Sequence, residues 1–258
     1  MATIRARDLG VRFQFDRQRR VITPFRARLA SRVTETWGLR GVDLEVGPGE
    51  GLALIGPTGA GKTSLLRAIA GVLPADEGSI EVRGGIASML SIDAGLIHTL
   101  TGRENAMVLG VLGGISRAET RTLLPEIERE TLLAESFDRP ASSYSQGMRA
   151  RLGFTTAMHT NPEILLLDEV HEALDHRFRE VLGATAAELR SRGGIVVAAG
   201  HDHGILSQLC GNALLLDSGR VGALGPFEEV RASYLGAAAG LGVSPEPGQA
   251  PSLDGFAD

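Results

Sequence analysis

The run Gly56-Pro57-Thr58-Gly59-Ala60-Gly61-Lys62-Thr63 sets two glycines five apart, directly before a lysine and a threonine. Each position has a physical task if the ligand is phosphate. Glycines let backbone N–H groups turn inward around phosphate oxygens, and the N-terminus of a helix that includes Ser64 adds partial positive charge. Lys62 reaches the β- and γ-phosphates as a mobile point charge, and the Thr63 hydroxyl is placed for Mg²⁺. Far downstream, Ile164-Leu165-Leu166-Leu167-Asp168-Glu169 is an apolar run ending in two carboxylates. Acids at the C-terminal edge of a parallel sheet stand where doubly wound folds bind ligands. Asp168 suits the Mg²⁺ shell, and Glu169 suits the polarisation of an attacking water.

Lys62 is the one lysine among 26 basic residues in the 258-residue chain. Most surface positions accept either cation, so a lysine kept amid arginines points to a task arginine does not perform. Net charge is −5, divided unevenly: residues 1–40 carry +7 and the remainder −12. The acidic body, with no long basic and aromatic-interleaved face, argues against nucleic acid as a partner. A hydrophobic fraction of 43% supplies a core and excludes disorder of the whole chain. Cys210 is the only cysteine, so no intrachain disulfide or multi-cysteine metal site forms, which fits a reducing compartment. No apolar run approaches the ~20 residues of a membrane span.

Short strands must position these groups. Ile4–Phe15 and Leu39–Val46 read as strands, and Gly51–Ile55 as a buried parallel strand leading into the phosphate loop. Lys62–Ala70 has helical spacing and stops at Gly71. Residues 78–90 read as short strands. Residues 103–134 are mostly helical, interrupted at Gly113-Gly114 and at Pro125, and a further helix is expected over Gly147–His159. Apolar runs at Ile164–Leu167, Ile195–Ala199 and Ala213–Leu216, with a helix over Arg177–Arg190, predict a parallel sheet covered on both faces. Beyond Leu235 the composition turns to Gly, Ala, Pro and Ser, predicting a flexible tail over 236–258.

Between the two motifs lies Tyr144-Ser145-Gln146-Gly147-Met148-Arg149, directly before a helix. With the phosphate loop and the acid pair, it resembles the signature sequence, usually LSGGQ, of the ATP-binding cassette ATPases. A serine and a glycine at a helix start also make a small anion site, or an ordinary N-cap. The resemblance covers residues 1–235 and implies an α/β phosphate-loop NTPase domain, with a mixed or parallel sheet core and a helical insert over about 95–160. It implies ATP and Mg²⁺ as ligands and a head-to-tail homodimer, in which Ser145 and Gly147 of one copy cap the nucleotide on the other's phosphate loop. Ala173-Leu174-Asp175 resembles the family's D-loop, and His201, after the apolar run, its switch histidine. His203 is expected to be structural. Trp37 is the first choice for the aromatic that stacks on adenine, with Phe13 and Phe15 as alternatives.

Leu100-Thr101-Gly102-Arg103-Glu104-Asn105, the methionine in the signature and the long N-terminal segment are similar to the branch that exports lipid-linked polysaccharides such as O-antigen, capsule and teichoic acid. That branch implies a separate integral-membrane permease, a lipid-linked glycan as cargo and a peripheral place on the cytoplasmic membrane face. The arginines of Arg17–Arg32 would there meet anionic lipid or a lipid pyrophosphate. Two positions depart from the family. Ser88–Leu100 holds no counterpart to the Q-loop glutamine, with Ser91 or Asp93 falling nearest, and Gln146 replaces the first glycine of the signature, pointing outward if the motif is intact. Readings outside export remain: a cassette ATPase acting on nucleic acid or ribosomes, or a nucleotide-binding regulator without turnover.

Overall fold

The computed structural model describes residues 1–15 and 34–238. Arg17–Arg32 and residues 239–258, which carry the membrane-face and tail expectations, lie outside the described residues.

Strand β1 (Thr3–Phe15) alternates, burying Ile4 and Ala6, then Leu9 and Val11. The change of phase falls at Asp8, which takes φ 47 at a slip in strand register and so returns the apolar residues to the same face. β1 pairs antiparallel with β2 (Thr34–Val46) on one side and with β4 (Glu77–Arg83) on the other, giving the order β2-β1-β4.

The second sheet has six strands: β3 (Gly51–Ile55), β5 (Ile86–Met89), β6 (Ile164–Asp168), β7 (Ile195–Ala199), β8 (Asn212–Asp217) and β9 (Arg220–Pro226). Their order is β5-β6-β7-β3-β8-β9, parallel except for the β8–β9 hairpin. β3 and β7 are buried at every residue and β6 at all but Asp168, so these strands read as continuous apolar runs rather than alternations.

Helix α1 (Lys62–Ile69) lies between the sheets, with Leu65, Leu66 and Ile69 in one core with Ile4, Leu39, Leu54 and Leu166. On the far face of the large sheet pack α5 (His176–Ser191), α6 (His203–Leu209) and α7 (Phe227–Ala238). The insert, α2 (Gly102–Leu112), α3 (Arg117–Thr131) and α4 (Gln146–Met158), closes around a third core of Ile127, Phe137 and Leu152.

β1, β2 and β4 pair among themselves, and this three-stranded sheet with α1 covers one face of the six-stranded one. One expectation needs correcting. Pro125 does not interrupt the insert but sits inside α3. It faces solvent, where water can serve the carbonyl it frees, while Leu124 and Ile127 hold the buried face. Helix α7 runs through Ala238. Among the described residues no helix is long and apolar enough to cross a membrane.

Candidate functional site

β3 delivers the chain into the phosphate loop, and two of its glycines have no alternative. Gly56 has φ 138, and a Cβ there would collide with the Leu216 carbonyl; Gly61 has φ 109, and a Cβ there would fall 2.5 Å from the Gly38 carbonyl. Gly61 also precedes α1 without a side-chain cap, which leaves first-turn N–H groups for a ligand. Lys62 is only 7% exposed, and its Nζ donates to the carbonyls of Gly56 (2.7 Å) and Pro57 (3.1 Å), arching the loop over the ammonium. Burial pushes its pKa below the ordinary lysine value, opposed by the charges of Glu169 and Asp168.

β6 ends beside this loop. Asp168 hydrogen-bonds Thr63, and burial raises its carboxyl above the ordinary range, with the Thr63 bond pulling the other way. A hydroxyl and a carboxylate in contact form a hard oxygen pair that fits Mg²⁺. Glu169 leaves the strand in a left-handed conformation, φ 58, with its N–H donating to the Ala199 carbonyl at 2.9 Å. Strain of this kind in a non-glycine residue persists where surroundings impose it. The turn aims Glu169 Oε1 at His201 Nε2, 3.2 Å away, just past the end of β7.

A cavity of about 290 Å³ gathers Thr58–Ser64, Glu169 and His201 against Phe13, Thr36, Trp37 and Gly38. Both aromatic candidates in the described residues are therefore in its wall. The Phe13 ring lies against Gly38. The Trp37 ring carries the guanidiniums of Arg12 and Arg40, each 5.3 Å from its centroid. The Phe15 side chain is outside the described residues.

A second cavity lies on the other side of the acids, lined by Leu90, Ser91, Ile92, Gln146, Asp168, Glu169, Glu172 and Ala173. Of the two residues nearest the missing glutamine, Ser91 faces the acids. Asp93 turns instead to Arg149 Nε, 2.6 Å away. Gln146 is exposed and borders this cavity.

Ser145, Gly147 and Asp175 do not line the phosphate-loop cavity. Ser145 caps α4, accepting from Met148 N–H at 3.2 Å, and Gly147 allows the close approach of the Ala173 carbonyl. Asp175 caps α5 through Phe178 N–H at 2.9 Å. His203 opens α6 and packs against the rings of Phe227 and Tyr234. Sequence reasoning missed Glu172, whose partners are backbone N–H groups on another turn.

The family model for ABC transporters matches residues 39–172, from β2 through the phosphate loop to the turn beyond Glu169. The chain belongs to the ABC transporter family. Among curated relatives, it is 34% identical over 208 residues to the O-antigen export system ATP-binding protein RfbB of Myxococcus xanthus, covering 81% of this chain and 47% of that one. It is 35% identical over 204 residues to the teichoic acids export ATP-binding protein TagH of Levilactobacillus brevis, covering 79% and 56%. The chain thus spans about half the length of the curated relatives it matches. The fold matches an ATP-binding cassette solved as a dimer in a post-hydrolysis state with ADP and Pi, at TM-score 0.71 and 21% identity over 87% of this chain and 98% of that one. In this ABC chain the family match includes Lys62 and Glu169, while Asp175 and His201 lie beyond it.

Proposed function

We propose that the chain is the ATP-hydrolysing subunit of an exporter that moves a lipid-linked glycan across the cytoplasmic membrane, working as a homodimer peripheral to a membrane-spanning permease. The observation that carries hydrolysis is the Glu169–His201 pair, 3.2 Å apart in the cavity that also holds Lys62 and the phosphate loop. Glu169 is the base that orients the attacking water in line with the γ-phosphate. Lys62 neutralises charge on the transferring group, and His201 donates to it. Thr63 and Asp168 would hold Mg²⁺, which would supply charge stabilisation to the phosphates. The adenine lies along the aromatic wall, on Trp37 or on Phe13.

The dimer is supported by what the cavity lacks. Ser145, Gly147 and Asp175 open elsewhere on the same chain, so a second copy turned head to tail can bring its signature to the nucleotide. The glycan is supported by the relatives, named for O-antigen export and teichoic acids export. The permease is supported by a groove of about 270 Å³ between β5 and the insert, whose walls include Ile86, Met89, Leu109 and Leu112. Leu112 is 72% exposed there. Ser91 and Ile92 border both this groove and the cavity of the acids, so a helix seated in the groove touches the same turn that faces Asp168 and Glu169.

The test is co-expression with a candidate membrane-spanning permease from the same genome, followed by detergent purification. A complex is expected, with ATP hydrolysis stimulated by the lipid-linked glycan, and Leu112→Glu should weaken association by about tenfold or more. Salt-sensitive retention of nucleic acid with no membrane partner would overturn the export reading.

A further inference from the structure

Glu172 lies in the short 3-10 turn Val170–Ala173 that follows Glu169. Its Oε1 accepts from the backbone N–H of His201 at 2.6 Å and of Asp202 at 3.3 Å. Arg179, from α5, closes the opposite side of this joint. It donates to the carbonyls of Leu174 (2.8 Å) and Glu172 (3.0 Å), and its Nη1 stands 3.6 Å from Asp202 Oδ2. Asp202 in turn caps α6 through the N–H groups of Gly204 (3.1 Å) and Ile205 (3.2 Å). The joint is also close-packed: a Cβ on Gly200 would fall 2.6 Å from Nε2 of the buried His171 and 2.9 Å from Glu172 Oε1. The turn after β6 and the turn after β7 are thus one unit, in which the Glu172 carboxylate holds the His201 and Asp202 backbone and Arg179 bridges from α5.

We infer that Glu172 is a positioning residue for hydrolysis, holding the His201 backbone so that its imidazole meets Glu169. Glu172 borders the same cavity as Asp168 and Glu169 and could be mistaken for a third metal-site acid. Its Oε1, however, is committed to two N–H groups, and a charge-assisted bond of 2.6 Å to a peptide N–H is a structural anchor. Removing that anchor frees residues 200–202 to drift, and displacement by about 1 Å in a reacting array lowers rate by about 10²-fold. Because Asp175 begins α5 next to Leu174, the same unit also fixes where Asp175 is presented.

The inference rests on the proposed role of His201, and a double-mutant cycle separates the two. Glu172→Ala is expected to lower kcat for MgATP by about thirtyfold with KM within about twofold. Glu172→Gln keeps a carbonyl acceptor and should regain most of kcat. On a His201→Ala background, Glu172→Ala should cost less than about threefold more, because both changes remove the same placement. Glu172→Met, which keeps volume and removes the acceptor, replaces the alanine variant if that one does not fold. Wild-type kcat for the variant lacking the acceptor, a Glu172→Gln rate as low as alanine's, or a full repeated loss on the His201→Ala background would each overturn the inference and leave the site reading intact. A wild-type rate for His201→Ala overturns both.

Discussion

Lys62 shows why one position in this arginine-rich chain is a lysine. Its ammonium fits under two carbonyls of its own loop, 7% exposed, with Thr63, Asp168 and Glu169 around it. A guanidinium is planar, wider and geometrically fixed, and does not enter that space without displacing the loop. Lys62→Arg is therefore expected to lower kcat by about 10²-fold or more while the circular dichroism spectrum is unchanged; steady-state phosphate release checks this. The phosphate loop was legible in the sequence because its task is local: Gly56 and Gly61 are dictated by backbone angles and close carbonyls, and they stand beside the lysine they serve. Glu172 was illegible for the opposite reason. Its partners lie 29 and 30 residues away and are backbone N–H groups, which leave no residue type to recognise. Ser91 and Asp93 cannot be told apart in sequence, because which of them borders the acids depends on the path of the chain after β5.

At the scale of elements, the insert depends on Asn105, a fully buried amide on α2. Its Oδ1 accepts from Ile97 N–H at 2.7 Å, and its Nδ2 donates to the carbonyls of Ile97 (3.0 Å), Leu100 (3.1 Å) and Thr101 (2.9 Å). Thr101 and Glu104 add a capping box at the same helix start, and Arg103 binds Glu128 and Asp138 across the insert. The Leu100–Asn105 motif is thus explained by how it starts α2 and staples the loop before it. Asn105→Ala leaves buried backbone groups without partners and should destabilise by about 3 kcal/mol. Scanning calorimetry should then find a melting point lower by roughly 6–12 °C. Most helices were legible from period and punctuation, including the stop of α1 before Gly71. The separate antiparallel sheet was not, since alternation in β1 and β2 says that one face is buried but not which strand pairs with which. Pro125 misled because a local breaker was outweighed by Leu124 and Ile127 packing on the other face of α3.

At the scale of the whole molecule, the residues proposed for the site stand on two separate surfaces. One surface carries the phosphate loop, Glu169 and His201; another carries Ser145, Gly147 and Asp175, and the described fold does not bring them to one cavity. In the proposed dimer, head-to-tail pairing would complete both halves at once, as an isologous contact about a two-fold axis. In that proposal ATP binds the paired state preferentially, so linkage would make pairing depend on it. Legibility ends at this scale, since a helix cap such as Ser145 looks the same in sequence whether or not it faces a second subunit. The most direct measurement is the mass in solution of Glu169→Gln with and without MgATP, read alongside phosphate release. A monomer that becomes a dimer on adding ATP is expected, with release lowered by about 10²-fold or more. A variant that stays monomeric with ATP bound, or one that releases phosphate at the wild-type rate, would contradict it.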